Sequence, residues 1–236
     1  MTVRRLLFDC DGVLVDSEAV ALGVLLARFG EVLGPGVDIG ARLKDLLGLP
    51  IDEIAERIGR DHGCTFEAEW IGECRHRIEQ SLLELADPIT DVAWALERLD
   101  MPMAVVSNSG LAHVRGALER TGLARFFDAV FTAEQVGRSK PAPDLYRFAA
   151  ASLGVEPEHC LAVEDSRAGV TAAVAAGMTV IGFTGGGHLP EGHAHVQHNL
   201  GVAESVATMR ELPAAVERLL ARSPSGSEPH QIRSQE

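Results

Sequence analysis

The chain opens with a short apolar run, Leu6-Leu7-Phe8, that stops at the acidic stretch Asp9-Cys10-Asp11-Gly12. A run this short, broken by a glycine, predicts the end of a buried strand. The pattern then changes period. Leu22, Leu25, Leu26, Phe29 and Leu33 recur at helical spacing and end near Gly34-Pro35-Gly36. Ile39, Leu43 and Leu47 mark a second, short helix stopped by Gly48, and Pro50 opens a third carrying Ile51, Ile54, Ala55 and Ile58. Trp70, Cys74, Ile78, Leu82 and Leu85 form the stripe of a fourth. From Asp87-Pro88 onward strands and helices alternate. A helix with Val92, Leu96 and Leu99 leads to the apolar run Met103 to Val106. Further strands are predicted at Ala129 to Thr132, Leu161 to Val163 and Thr179 to Phe183, with helices over 111–121, 144–153 and 167–176 between them. Such alternation means a parallel sheet covered on both faces. The expected fold is therefore α/β, a Rossmann-like core (1–15 and 87–221) with an all-helical cap (16–86) inserted after the first strand. The segment 222–236, rich in Ser, Pro, Glu and Gln, is expected to be a disordered tail.

Composition narrows the partners. With 46% hydrophobic residues the chain can bury a sizeable core, and 34 acidic against 21 basic residues leave a net charge of -13. No basic stripe interleaved with aromatics appears, which argues against nucleic acid and anionic membrane. No apolar run approaches the ~18 to 20 residues of a membrane span. Arg4 and Arg5 precede a hydrophobic run that ends at Asp9, too soon for a signal peptide. Cys10, Cys64, Cys74 and Cys160 lack metal-type spacing and read as reduced thiols of a cytoplasmic protein. Lys44 and Lys140 are the only lysines, so each draws attention as a place where a compact ammonium is required.

The polar residues at the strand ends carry the chemistry. In extended chain, residues two apart point the same way, so Asp9 and Asp11 can face one space. Two carboxylates there repel, and a divalent cation with an anionic substrate offsets that cost. Ligands of open parallel sheets bind at the carboxyl ends of the strands. Val105-Val106-Ser107-Asn108 places the Ser107 hydroxyl and the Asn108 amide at that rim, a cradle for phosphate or carboxylate. Val163-Glu164-Asp165-Ser166 adds two more acids. Lys140, in Ser139-Lys140-Pro141, precedes a helix. Each feature also has an ordinary reading: a hydrogen-bonded turn, a helix cap, acids complementing a helix dipole, a solvated base.

Taken together, the four motifs Asp9-x-Asp11-Gly12-Val13-Leu14, Ser107-Asn108, Lys140-Pro141 and Glu164-Asp165 resemble those of the haloacid dehalogenase superfamily, in the branch with a helical cap. The resemblance implies a phosphoric monoester hydrolase. Asp9 is then the nucleophile that forms an aspartyl-phosphate. Asp11 is the acid and then the base, which requires burial and neighbouring charge to raise its pKa. Mg²⁺ is held by Asp9, the Asp11 carbonyl and Asp165, with Glu164 helping directly or through water. Ser107, Asn108 and Lys140 hold the phosphoryl oxygens. Cap bases that would meet the leaving group are Arg42, Lys44, Arg75, His76 and Arg77, although each also reads as surface charge. Hinges are expected near Val15 to Ser17 and Ala86 to Pro88.

Within the family, Asp11 argues against the dehalogenases and the phosphonate-cleaving relatives, which lack an aspartate there. β-Phosphoglucomutase relatives share several motifs, but Gly48-Leu49-Pro50-Ile51 replaces their Gly-x-Ser-Arg loop. Leu7 to Glu18 and Gly182-Phe183-Thr184-Gly185-Gly186-Gly187 look more like the 6-phosphogluconate-phosphatase-like branch. The expected activity is Mg²⁺-dependent hydrolysis of a small phosphorylated metabolite, a sugar phosphate first of all; the alternatives are a phosphosugar mutase and a non-catalytic binding protein. The expected oligomeric state is a monomer or weak homodimer. The tract His188 to His198, with His193 and His195, reads as a polar loop at the sheet edge, with a soft-metal site the less favoured reading.

Overall fold

A computed structural model describes residues 3–34, 36–47, 49–85, 87–186 and 192–222. The apolar runs become strands β1 (Arg5–Phe8), β2 (Met103–Ser107), β3 (Ala129–Thr132), β4 (Cys160–Glu164) and β5 (Thr179–Phe183). A sixth, β6 (Glu204–Val206), was not expected from the sequence. It is three residues long with one buried side chain, too little pattern to read. The sheet order is β3-β2-β1-β4-β5-β6, and every pair is parallel. The chain builds outward from β1 in one direction and then, from β4, in the other. Such a switch leaves a crevice at the carboxyl end of β1.

Alternation along the strands splits the core in two. Leu6, Phe8, Val105, Val163 and Ile181 pack on one face against α5 (Val92–Leu96), α6 (Leu111–Arg120) and α10 (Leu212–Arg222). Leu7, Ala104, Val106, Ala162 and Val180 pack on the other against α7 (Asp144–Ser152) and α8 (Arg167–Ala176). Each fully buried Leu or Phe contributes about 1.5–3 kcal/mol. The strands are therefore near-continuous apolar runs because both of their faces are covered.

Between β1 and α5 lie α1 (Ser17–Leu33), α2 (Gly40–Leu46), α3 (Ile51–His62) and α4 (Ala68–Leu85), in register with the predicted helices. They bury a cluster of their own, including Leu25, Phe29, Leu43, Ile54, Ile58 and Cys74. Arg28, buried beside it, pairs with Glu31 and with Glu73, the latter at 2.9 Å. The two connections to the sheet lie side by side: Asp16 N–H donates to the Asp87 carbonyl at 2.8 Å and Ile89 N–H to that of Leu14 at 2.9 Å.

The tract expected to be a loop contains a helix, α9 (His193–Asn199). Its anchor is Gln197, wholly buried, whose amide donates to the carbonyls of Asp165 at 2.8 Å and Phe183 at 3.2 Å. His188 lies outside the described residues, as do Ala86 of the expected hinge and, apart from Arg222 at the end of α10, the expected tail. Among the described residues no helix is long and apolar enough to cross a membrane.

Candidate active site

Register assembles the site. Phe8 is paired with Val105 on one side and Val163 on the other, so Asp9, Ser107, Glu164 and Asp165 all emerge at one rim. Asp9, Ser107 and Asp165 open on a cavity of about 740 Å³. Its floor carries Asp9, Asp11, Ser107, Asn108, Lys140 and Asp165. The helical insertion supplies the facing wall with Ser17, Glu18, Lys44, Asp45, Leu47 and Leu82, while Arg167 and His193 come from α8 and α9.

Glu164 takes a different place. Its carboxylate is fully buried and does not reach the cavity wall. It accepts from Lys140 Nζ at 2.6 Å and from the Tyr146 hydroxyl at 2.6 Å. A Cβ on Gly169 would lie 2.0 Å from it, so only glycine permits α8 to pass this close. Lys140 Nζ also donates to Asp9 Oδ1 at 2.9 Å and to the Val106 carbonyl at 2.6 Å. The three protons of the ammonium are thus all engaged within the protein. The loop that brings Lys140 here is tied down by Asn108, whose side chain accepts from Lys140 N–H at 2.8 Å and donates to its carbonyl at 3.2 Å.

The electrostatics follow from this burial. Desolvation and then Glu164 push the Asp9 carboxyl up to about 7, with Lys140 pulling against them. Burial also raises Glu164, again opposed by Lys140. For Lys140 itself burial favours the neutral amine, but Asp9 and Glu164 outweigh it and hold the ammonium above its ordinary value. Asp11 departs from expectation. Burial pushes it up, yet hydrogen bonds from His113, Ser109 and Ser17 prevail and bring it below the usual carboxylate value. Ser109 Oγ donates to Oδ2 at 2.6 Å, and His113 Nε2 lies 3.4 Å from Oδ1. As the protein stands, Asp11 is ionised, ready to accept a proton rather than to give one.

One oxygen each of Asp9, Glu164 and Asp165 lies within 4.8 Å of the others, the only such grouping of possible metal ligands among the described residues. An all-carboxylate set this close suits a hard divalent cation. The histidine tract forms no such cluster among the described residues. Instead, His193 Nε2 sits 2.5 Å from the Asp165 carbonyl. Gly185 is pressed against the Ala207 carbonyl, where a Cβ would meet it at 2.3 Å, and neither Gly185 nor Gly186 lines the cavity.

Of the five cap bases, Lys44 alone stands on the cavity wall. Arg42 is paired with Asp61 at 2.8 Å and Arg75 with Asp52 at 2.7 Å, both on the cap's own surface. Arg77 faces Glu31 at 3.8 Å, and His76 is exposed away from the cavity. Sequence reading passed over Ser109, His113 and Tyr146. Ser109 sits two residues past Ser107 in the same rim segment, a signal that was there to use. His113 and Tyr146 lie inside helices, where nothing local distinguishes them from surface or core.

Comparison with known proteins gives the family. Residues 6–183 match the family described as haloacid dehalogenase-like hydrolase. The chain is 31% identical over 191 residues to a 6-phosphogluconate phosphatase of Escherichia coli K12, covering 79% of this chain and 85% of that protein. It is 33% identical over 181 residues to a fructose-1-phosphate phosphatase of the same organism, covering 75% and 94%. A crystal structure of a family hydrolase from Deinococcus radiodurans R1, with bound phosphate and sodium, superposes with a TM-score of 0.81 at 30% identity over 94% of this chain and 99% of that one. With the match spanning every strand of the sheet but the last and all four motifs, this chain belongs to the haloacid dehalogenase-like hydrolase family.

Proposed function

We propose that this chain is a Mg²⁺-dependent phosphatase that hydrolyses a small phosphorylated metabolite, a sugar phosphate, through an aspartyl-phosphate on Asp9. The observation that carries the reading is the convergence of Asp9, Asp11, Ser107, Lys140 and Asp165 on one cavity. Relatives named as phosphatases of 6-phosphogluconate and fructose 1-phosphate support the substrate class.

In the first step an Asp9 oxygen forms a bond to phosphorus while the ester oxygen–phosphorus bond breaks, and the departing oxygen takes a proton from Asp11. In the second, Asp11 removes a proton from water, whose oxygen attacks phosphorus and releases Asp9 and inorganic phosphate. For the first step Asp11 must carry a proton, and the negative charge of an incoming phosphoryl group beside it favours that state. Ser107 and the Asn108 amide hold phosphoryl oxygens, and Lys140 places fixed positive charge beside them. Asp9, Asp165 and the Asp11 carbonyl would hold the Mg²⁺, with Glu164 behind them as the anchor of Lys140. When bound, the ion neutralises charge on the phosphoryl oxygens.

Residues 16–86 act as a cap that closes over the core of 1–15 and 87–221, with the paired connections around Asp16 and Asp87 as hinges. Lys44 meets the leaving group from above. Four free cysteines fit a reducing, cytoplasmic setting.

The test is phosphate release from a panel of sugar phosphates with Mg²⁺ or with chelator, using Asp9→Asn as control. Release that needs both the metal and Asp9 is expected. Equal release by wild type and Asp9→Asn would overturn the reading, and conversion of β-glucose 1-phosphate to glucose 6-phosphate without free phosphate would replace it with a mutase.

A further inference from the structure

The Asp11 carboxylate is held at both oxygens by two residues of one stretch of chain, Ser109 and His113, beside a further hydrogen bond from Ser17. Ser109 Oγ takes Oδ2, and His113 Nε2 faces Oδ1. His113 lies in the first turn of α6, where side chains lean toward the helix N-terminus, and that end of α6 lies at the carboxyl edge of the sheet. Only 16% of its side chain is exposed, and it does not line the cavity. It therefore stands behind Asp11, on the side away from substrate.

A carboxylate fastened at one oxygen can still rotate about its Cβ–Cγ bond. Fastened at both, it presents a fixed oxygen and lone pair to the cavity. The acid step demands that fixity, because proton transfer requires the donor within hydrogen-bond reach of the departing oxygen. The segment 107–113 would then couple two tasks: Ser107 grips the phosphoryl group while Ser109 and His113 aim the acid.

We propose that His113 is a positioning residue for Asp11, fixing the orientation in which its carboxyl group meets the leaving oxygen. The inference rests on the phosphatase reading above. It predicts an effect graded by leaving group. Phenyl phosphate and p-nitrophenyl phosphate are nearly the same shape, but phenolate leaves poorly without a proton and nitrophenolate leaves readily.

The experiment measures phenol release in a single turnover, with Mg²⁺, for wild type, His113→Ala, His113→Gln and Asp9→Asn. Single turnover isolates the first step from the later attack of water. For His113→Ala, the maximal rate with phenyl phosphate should fall about tenfold or more, and that with p-nitrophenyl phosphate should stay within about twofold, with the half-saturating concentration little changed for both. His113→Gln, whose amide N–H can reach the place of Nε2–H, should recover most of the loss. Equal losses on the two esters for both folded variants, or a raised half-saturating concentration with unchanged maximal rate, would overturn the positioning role while leaving the phosphatase reading intact. A wild type inactive on both esters, or an Asp9→Asn protein as active as wild type, would sink the phosphatase reading and this inference with it.

Discussion

Removing the Lys140 ammonium tests the electrostatic design of the site independently of activity. Lys140→Met keeps the length and the apolar stem of the side chain but strips three hydrogen bonds from Asp9, Glu164 and the Val106 carbonyl. Breaking a buried ion pair from one side costs about 3–5 kcal/mol, chiefly because a charge is left without a partner. Glu164 sets an upper bound of its own, since the orphaned carboxyl can escape by taking a proton. From its ordinary value of 4.5 to a working pH of about 7, that escape costs about 3 kcal/mol. At about pH 5 the same escape costs less than about 1 kcal/mol. Burial already raises Glu164 in the native protein against the pull of Lys140; without that pull it binds its proton still more tightly folded than unfolded, so stability is lost as pH rises above 4.5. Urea unfolding without divalent cation should therefore show a deficit of about 3 kcal/mol at about pH 7, shrinking to about 1 at about pH 5. Adding Glu164→Gln to Lys140→Met should restore about 2 kcal/mol at the higher pH, because the fully buried carboxylate is then gone and Asp9, at the cavity, is the one carboxylate left without the ammonium. A deficit below about 1 kcal/mol at neutral pH, or one that ignores pH, would refute the reasoning.

Three further outcomes follow from the same geometry. Metal-free Asp9 is raised to about 7, so its contribution to stability is lost as pH rises from 3.8 through that value, and its carboxylate becomes available to a cation over the same range. Calorimetric titration should show Mg²⁺ affinity falling about tenfold per pH unit below about 7; affinity that is flat across that range would contradict the raised value. Gly169→Ala forces a Cβ into the Glu164 carboxylate, which Lys140 and Tyr146 hold in place, and should cost about 1–3 kcal/mol in urea unfolding. An unchanged midpoint would mean that Glu164 is free to move. Lys44→Ala should raise KM for a sugar phosphate about tenfold, whereas Arg42→Ala and Arg75→Ala, whose partners are Asp61 and Asp52, should leave it within about twofold.

The sheet and the four inserted helices were legible because their signals are local. A both-faces-buried strand is a short apolar run, and a helix that covers one cluster repeats at its own period. β6 and α9 escaped for lack of that signal: one has a single buried side chain, and the other is held by Gln197 reaching distant carbonyls. At the site, Asp9, Asp11, Ser107, Asn108 and Asp165 were legible because strand ends fix their direction, and Lys140, in a loop, because it is one of only two lysines. The role of Glu164 was not, since one step along β4 turns its side chain from the cavity to the interior, where Lys140 and Tyr146 meet it. The cap bases were the least readable. Which face of a helix looks down on the sheet depends on how the insertion sits, and four of the five look elsewhere.

The most direct test of the account is peptide mapping by mass spectrometry of acid-quenched Asp11→Asn protein, mixed with Mg²⁺ and p-nitrophenyl phosphate. That ester needs no proton to leave, whereas breakdown of the phosphorylated protein needs the missing base, so one phosphoryl group should accumulate on the peptide containing Asp9 and disappear in alkali. If nitrophenol is released while that peptide stays unmodified, or if the label sits on another residue, Asp9 is not the nucleophile and the account fails.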